Sequence, residues 1–227
     1  MTELRALIAA RPSLLLDFDG PVCSVFAGLS SRRVAERLGA AMGVALPAHL
    51  SATSDPFDLL DYAAQLSDDV AVSTEQELTR LEVEAVEVAT PTPHAHDVIR
   101  DGAARRGGSV AIVSNNSIAA IDAYLRRHGL RTHVAGIYAR TSAATALKPN
   151  PHLLHTALTG LRTEATAATF TGDSATDLQA ANSAAIPAIA YANKPGKVER
   201  FAPYAPAATI TSMSALLDAV HGQVVSQ

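Results

Sequence analysis

Two acidic side chains stand one residue apart at the end of the first apolar segment of this chain. Residues 13–18 include three consecutive leucines and predict a buried strand, and Asp17 and Asp19 fall at its end, just before Gly20. Side chains alternate along a strand, so both carboxylates leave it on the same side. Glycine permits the sharp turn that must follow. The fold therefore needs a crevice at this strand end, where both acids can face one ligand.

Strands and helices alternate along much of the remaining sequence. Apolar patterns predict further strands at 109–113, 134–138, 167–171, 187–191 and 207–211. Helices are predicted at 2–10, 94–106, 117–128, 150–159, 175–184 and 213–221. This alternation predicts an α/β fold, a doubly wound parallel sheet of the Rossmann-like kind with helices on both faces. The ligand crevice of such a sheet lies at the carboxyl ends of its strands.

The segment 23–92 interrupts this alternation because it carries no strand pattern. We expect it to form an all-helical cap, inserted directly after the Asp17 strand and lying over the crevice like a lid. Residues 1–22 and 93–227 then form the catalytic core.

Helical spacing predicts three helices within the insert. The first spans residues 26–42 and is ended by Gly43, and the second is capped by Asp55. Thr74 and Glu77 form a capping-box pattern, which predicts that the third helix begins at Thr74.

Three later segments add a hydroxyl, an ammonium and two more carboxylates at strand-to-loop junctions. Ser114 and Asn115 follow a predicted strand and precede a helix, where a hydroxyl and free backbone N–H groups make a seat for phosphate. Lys148 stands before a proline-flanked loop that fixes its position. Asp173 and Asp177 follow another strand. All of these groups are expected on the carboxyl edge of one sheet.

Converging carboxylates at strand ends form a hard oxygen site. Such a site suits Mg²⁺, which binds a few carboxylates together with water and a phosphate oxygen. The ammonium of Lys148 balances the remaining charge. We therefore expect Mg²⁺ as the cofactor.

As a set, these segments resemble the four motifs of the haloacid dehalogenase-like hydrolase superfamily, in its phosphatase branch. In motif order, the matching residues are 17–20, Ser114, Lys148, and 172–174 with Asp177. The helical insert between the first and second motifs is similar to the cap of the group that includes phosphoglycolate phosphatases and beta-phosphoglucomutases. One residue departs from the usual pattern: Pro21 stands where such proteins often carry threonine or valine.

The resemblance implies Mg²⁺-dependent hydrolysis of a small-molecule phosphate monoester through an aspartyl-phosphate. Asp17 would attack phosphorus, which divides one difficult displacement into two easier ones. Asp19 would protonate the departing alkoxide and then take a proton from the attacking water. Lys148, Ser114 and the amide of Asn115 would hold the nonbridging phosphate oxygens.

The resemblance also implies the ligands of the metal ion. Asp17, the backbone carbonyl of Asp19 and Asp173 would contact it directly. Asp177 would orient metal-bound water or Lys148 without touching the ion.

Three other functions are compatible with the fold. A dehalogenase also uses a first aspartate, but a halide departs without a proton, so Asp19 favours phosphate chemistry. A phosphosugar mutase uses both aspartates and differs in how the cap admits substrate and excludes water. A non-catalytic binding or regulatory protein could keep the fold, although the intact acids and Lys148 argue against this.

Charge and composition narrow the partners. The chain has 227 residues and a net charge of −4, which offers no broad basic face to a nucleic acid. Its apolar runs are shorter than the ~20 residues of a membrane span, and its N-terminus lacks the pattern of a secretory signal. Cys23 is the one cysteine, so a reducing, cytoplasmic location fits best. The oligomeric state is not readable, and a monomer is compatible with the sequence.

The charged residues of the insert indicate which substrates the site could accept. Residues 23–92 contain four arginines and eleven acidic residues, which disfavours a substrate with several anionic groups beyond the reacting phosphate. Arg32, Arg33 and Arg80 are the insert cations that could reach a second polar group, although the sequence favours surface positions for them.

Overall fold

A six-stranded, wholly parallel sheet forms the centre of the computed structural model, which describes residues 2–222. The strands, with a short antiparallel pair, are β1 (Ser13–Leu16), β2 (Cys23–Ser24), β3 (Thr90–Pro91), β4 (Ser109–Ser117), β5 (Gly136–Arg140), β6 (Ala168–Gly172), β7 (Ala188–Tyr191) and β8 (Ala208–Ile210). The order in the sheet is β5-β4-β1-β6-β7-β8. The strand order reverses direction at β1, and ligands bind beside such a reversal.

Helices cover both faces of the sheet, as the sequence predicted. They are α1 (Thr2–Ala9), α2 (Ser31–Ala41), α3 (Ala48–Ser51), α4 (Pro56–Leu66), α5 (Asp68–Glu87), α6 (Ala95–Ala104), α7 (Ile118–Arg127), α8 (His152–Leu161), α9 (Ala175–Ser183), α10 (Lys197–Phe201) and α11 (Met213–His221). None of these helices combines the length and the apolar character that crossing a membrane requires.

Strand β1 shows why the sheet needs two layers of helices. Leu14 and Leu16 belong to an apolar cluster with α1, α6, α7 and α11, whereas Leu15 belongs to a second cluster with α8 and α9. All three side chains are buried, because alternate residues of a central strand face opposite sides of the sheet. The predicted α/β fold with a doubly wound parallel sheet is confirmed.

The segment between β1 and α6 contains helices α2 to α5 and its own apolar cluster, which includes Leu38, Leu59 and Leu81. Strands β2 and β3 pair where this segment leaves and rejoins the sheet. Neither this pair nor α3 was predicted, since each is too short to give a periodic pattern.

The first two predicted insert helices exist, with one boundary moved. Helix α2 begins after Ser30, whose hydroxyl accepts from Arg33 N, rather than at residue 26. It ends before Gly43, which has a φ of 66°. Asp55 caps α4 as predicted, accepting a hydrogen bond from Phe57 N at 2.9 Å.

The predicted start of the third insert helix at Thr74 is wrong. Helix α5 begins after Ser67, whose hydroxyl accepts from Val70 N, and Asp68 and Asp69 lie in its first turn. Thr74 is buried inside the helix and its hydroxyl has no hydrogen-bond partner. Because Ser67 supplies a cap seven residues before Thr74, the helix starts nearly two turns earlier than predicted.

Candidate active site

A cavity of about 340 Å³ lies at the carboxyl ends of β4, β1 and β6, which are neighbours in the sheet. Its sheet side is lined by Asp17, Asp19, Ser114, Asn115, Asn116, Lys148, Asp173, Ser174, Thr176 and Asp177. Its insert side is lined by Asp55, Phe57, Asp58 and Asp61, all at or within the first turns of α4. All seven site residues predicted from the sequence therefore meet at one cavity.

Two glycines allow the acidic loops of the sheet side to approach one another. Gly20 has a φ of 102°, and a Cβ there would lie 2.4 Å from Cγ of Asp173. A Cβ on Gly172 would lie 2.4 Å from Cβ of Asp177. Any side chain at either position would push an aspartate out of the cavity.

Lys148 lies between two carboxylates at the base of the sheet side. Its Nζ donates to Asp17 Oδ1 at 2.8 Å and to Asp177 Oδ1 at 2.6 Å. Only 5% of Lys148 and 7% of Asp17 is exposed. Removing one member of such a buried cluster leaves uncompensated charge, which typically costs about 3–5 kcal/mol.

Burial and charge act in opposite directions on these groups. Burial lowers the pKa of Lys148, but the charges of Asp17 and Asp177 outweigh it and raise this pKa, so the side chain stays an ammonium. Burial and the neighbouring Asp177 carboxylate raise the pKa of Asp17, and Lys148 opposes that rise. A further cation in the cavity would favour the ionised form of Asp17.

Asp177 is fully occupied by hydrogen bonds. Besides Lys148, it accepts from the backbone N–H groups of Asp173 and Ser174, at 3.1 and 3.0 Å, through Oδ2. Ser174 caps α9, and the pair forms a capping box. Asp177 therefore fixes the Asp173 loop and orients Lys148.

Asp19 sits at the side of the cavity, half-buried. Its Oδ1 accepts a hydrogen bond from Val25 N at 2.9 Å, which fixes the side chain. Burial raises the pKa of Asp19 to about 6, against the opposing effect of that hydrogen bond. A carboxyl group with such a pKa can both give and take a proton near neutral pH.

The acids of the sheet side fit a divalent cation. Carboxylate oxygens of Asp17, Asp173 and Asp177 all lie within 4.8 Å of one another. Within residues 2–222, nothing donates a hydrogen bond to Asp17 Oδ2 or Asp173 Oδ1. Two unused carboxylate oxygens in one cavity suit a hard cation such as Mg²⁺ or Ca²⁺. Asp177 has no oxygen to spare.

Ser114 and Asn115 lie at an irregular stretch of β4, whereas the sequence predicted a regular strand that leads directly into a helix. The register of β4 against β5 shifts between Ser114 and Ser117, so that Asn115 and Asn116 bulge out of the ladder toward the cavity. Helix α7 begins only at Ile118, and its cap, Ser117, lies outside the cavity lining. Ser114 and Asn115 therefore face the cavity from the bulge that precedes the helix, and their role in binding phosphate stays a prediction.

The loop of residues 193–197, whose place after a predicted core strand suggests that it rims the crevice, supplies the partners of Asp173. Lys197 Nζ donates to Asp173 Oδ2 at 2.7 Å and to its backbone carbonyl at 2.6 Å, and Asn193 Nδ2 donates to the same Oδ2 at 3.2 Å. Both donors lie in the segment that follows β7, another strand that ends at this edge of the sheet. The position after a strand was the available signal.

The insert side of the cavity is acidic. Burial raises the pKa values of Asp55 and Asp61, although each keeps contact with solvent. Arg32 and Arg80 form exposed ion pairs with Glu36 and Glu77 instead, and they do not line the cavity.

A family model of haloacid dehalogenase-like hydrolases matches residues 58–191, more than half of the chain. The chain belongs to the haloacid dehalogenase-like hydrolase family. The matched segment contains Ser114, Lys148 and Asp173, and it begins after Asp17 and Asp19. The family resemblance drawn from the sequence motifs is confirmed. No curated protein matches the chain.

Solved structures share the fold of this hydrolase over nearly its whole length. CbbY from Rhodobacter sphaeroides in complex with phosphate is 22% identical, with a TM-score of 0.70 over 91% of this chain and 96% of that one. A putative phosphoglycolate phosphatase from Lactobacillus plantarum is 16% identical, with a TM-score of 0.69 over 92% and 99%. A mutant of the same CbbY was solved in complex with xylulose-(1,5)bisphosphate at 22% identity, TM-score 0.70, over 91% and 96%.

Proposed function

We propose that this chain is a Mg²⁺-dependent phosphatase that hydrolyses a small-molecule phosphate monoester through an aspartyl-phosphate on Asp17. The observation that carries the proposal is the contact of Lys148 Nζ with Asp17 Oδ1 at 2.8 Å, beside the unused oxygens of Asp17 and Asp173. Membership of a hydrolase family and the phosphate-bearing structural neighbours agree with it.

Asp17 is the nucleophile in this proposal. Lys148 holds Oδ1, which leaves Oδ2 to attack phosphorus in line with the departing oxygen. The P–O bond to the leaving group breaks as the bond to Asp17 forms. Asp19, fixed by Val25, gives its proton to the leaving oxygen and later takes one from the water that hydrolyses the aspartyl-phosphate.

The other residues of the sheet side bind the cation and the phosphate oxygens in this proposal. Asp173, the Asp19 carbonyl and the carboxylate oxygen of Asp17 that does not attack would hold the divalent cation, which would neutralise negative charge on the transferring phosphoryl group. Ser114, the Asn115 amide and Lys148 bind the nonbridging oxygens. Asp177 orients Lys148 at 2.6 Å.

We infer that residues 23–92 act as a cap domain on a core of residues 1–22 and 93–227. The β2–β3 pair and the separate apolar cluster of the insert support this division. Because the cap presents Asp55, Asp58 and Asp61 to the cavity, a neutral or cationic leaving group should be accepted better than an anionic one.

A panel of phosphate monoesters, assayed for phosphate release with Mg²⁺ and with a chelator, tests the proposal. We expect release from at least one neutral or amine-bearing ester with Mg²⁺, and none with the chelator. Failure of every ester with the metal present would contradict the proposed activity. Release that persists in the chelator would contradict the metal dependence.

A further inference from the structure

A buried ion cluster joins α5 of the insert to the bulge that carries Asn115 and Asn116. The side chains of Arg140, at the end of β5, and Glu82, on α5, have no exposed surface. Arg140 Nη2 lies 2.6 Å from Glu82 Oε2, and Nη1 bonds Glu75. None of these three charged residues lines the cavity, so contact with substrate does not account for them.

A contribution to the stability of the fold does not by itself explain why such a cluster is buried. Burying charge carries a desolvation cost that the attraction between the ions often only offsets, and apolar replacements of a buried pair are frequently tolerated. The remaining hydrogen bonds of the cluster therefore indicate what it does.

Arg140 Nη1 and Glu75 also contact the Thr79 hydroxyl on α5, and the other hydrogen bonds of the cluster go to the bulge. Glu82 Oε1 accepts from Asn116 Nδ2 at 3.0 Å, and Oε2 accepts from Ser117 N at 2.8 Å. Arg140 Nε donates to the backbone carbonyl of Asn115 at 3.2 Å. The two ions thus hold Asn115 and Asn116, which have left the regular strand ladder, and Ser117, where the ladder resumes.

The same bulge holds the loop of the catalytic lysine. Asn115 Oδ1 accepts from Lys148 N at 2.8 Å, and its Nδ2 donates to the Lys148 carbonyl at 3.1 Å. Lys148 Nζ then reaches Asp17. A continuous path of hydrogen bonds therefore runs from Glu82 and Arg140 to Asp17.

We propose that Glu82 and Arg140 are positioning residues, which hold the bulge so that Ser114 and the Asn115 amide face the phosphate and the Lys148 loop keeps its place. This inference rests on the proposed phosphatase function. It makes the phosphate seat dependent on α5 being docked against the core, although neither ion touches substrate.

A double variant tests positioning apart from stability. Arg140→Met with Glu82→Met removes the charges of this pair and fills their space. Arg37→Met with Glu84→Met is the matched control, because it removes a bidentate ion pair between α2 and the outer face of α5. In wild type and both variants we would measure inorganic phosphate affinity by calorimetry with Mg²⁺, turnover of the best ester, and the melting temperature.

We expect the Arg140/Glu82 variant to bind phosphate about tenfold more weakly and to lose about 100-fold in kcat, because small misplacements of binding groups cost that much. Its melting temperature should stay within a few degrees of wild type, and the Arg37/Glu84 control should keep wild-type affinity and turnover. A folded Arg140/Glu82 variant with wild-type affinity and kcat would overturn the proposal. Wild-type protein that neither binds phosphate nor turns over ester would instead refute the proposed function.

If the double variant does not fold, Arg140→Lys replaces it. This variant keeps the charge beside Glu82 but cannot reproduce the three-way contact of the guanidinium. Weaker phosphate binding at an unchanged melting temperature would support positioning, and unchanged binding would overturn it.

Discussion

The sheet side and the insert side of the cavity are both rich in aspartate, but they differ in burial and pairing. Asp17 and Asp177 are buried and share Lys148, whereas Asp58 and Asp61 are exposed on α4. Buried, paired charges act at close range in a fixed geometry, and exposed charges act through water that screens them. We therefore expect chemistry to depend steeply on the sheet side, and selectivity to depend weakly on the insert side.

The largest expected effect is that of Asp17→Asn on the sheet side. The amide cannot attack phosphorus, so kcat should fall by about 10⁴-fold or more. Asp101→Asn is the matched control, since Asp101 pairs with His221 on the surface and does not line the cavity. Steady-state phosphate release checks both variants. Turnover retained by Asp17→Asn would contradict the claim that the chemistry depends on the sheet side.

Lys148→Met should reduce both turnover and stability. We expect a loss of about 10³-fold in kcat and about 3 kcal/mol in the free energy of unfolding without metal, because two buried carboxylates lose their partner. Mg²⁺ should restore part of that stability, as measured by chemical denaturation. Arg106→Met, at an exposed position outside the cavity lining, should change neither quantity. Full stability of Lys148→Met without metal would show that the buried cluster is not coupled as described.

Asp19→Asn should discriminate between substrates. A poor leaving group needs its proton, so alkyl phosphates should lose about 10³-fold in kcat/KM, and activated aryl phosphates only about tenfold. The two ester classes are compared on the same protein preparation. Equal losses for both classes would count against Asp19 as the proton donor.

The smallest effect is expected on the insert side. Wild type should prefer phosphoethanolamine to phosphoglycolate, which have two-carbon leaving groups of opposite charge. Asp58→Asn should narrow that preference by about threefold, and Asp68→Asn, outside this cavity, should not change it. The kcat/KM ratio at low and high salt checks this, since screening should narrow the preference as well. A wild-type preference for phosphoglycolate would contradict the role given to the insert side.

Strand-end positions made much of the sheet side predictable. Asp17, Lys148 and Asp173 each stand where a strand or loop reaches the carboxyl edge, and a parallel sheet brings such positions together whatever their separation in sequence. The α/β fold followed from the same alternation.

Contacts across the chain were not predictable in this way. Glu82 interrupts the apolar face formed by Leu78, Leu81 and Ala85, which was a signal of burial, but its partner Arg140 lies 58 residues away and no periodic pattern links the two. Thr74 lies in a local capping pattern, but the helix begins earlier, at Asp68, because Ser67 caps it there.

The central claim is that Asp17 carries the phosphoryl group during turnover. Wild type with Mg²⁺ and a good ester would be quenched in acid within one turnover, digested, and its peptides analysed by mass spectrometry. The account predicts a transient phosphoryl group on Asp17, absent from Asp17→Asn. Rapid turnover with an unmodified Asp17 throughout, or a phosphoryl group on a different residue, would contradict it.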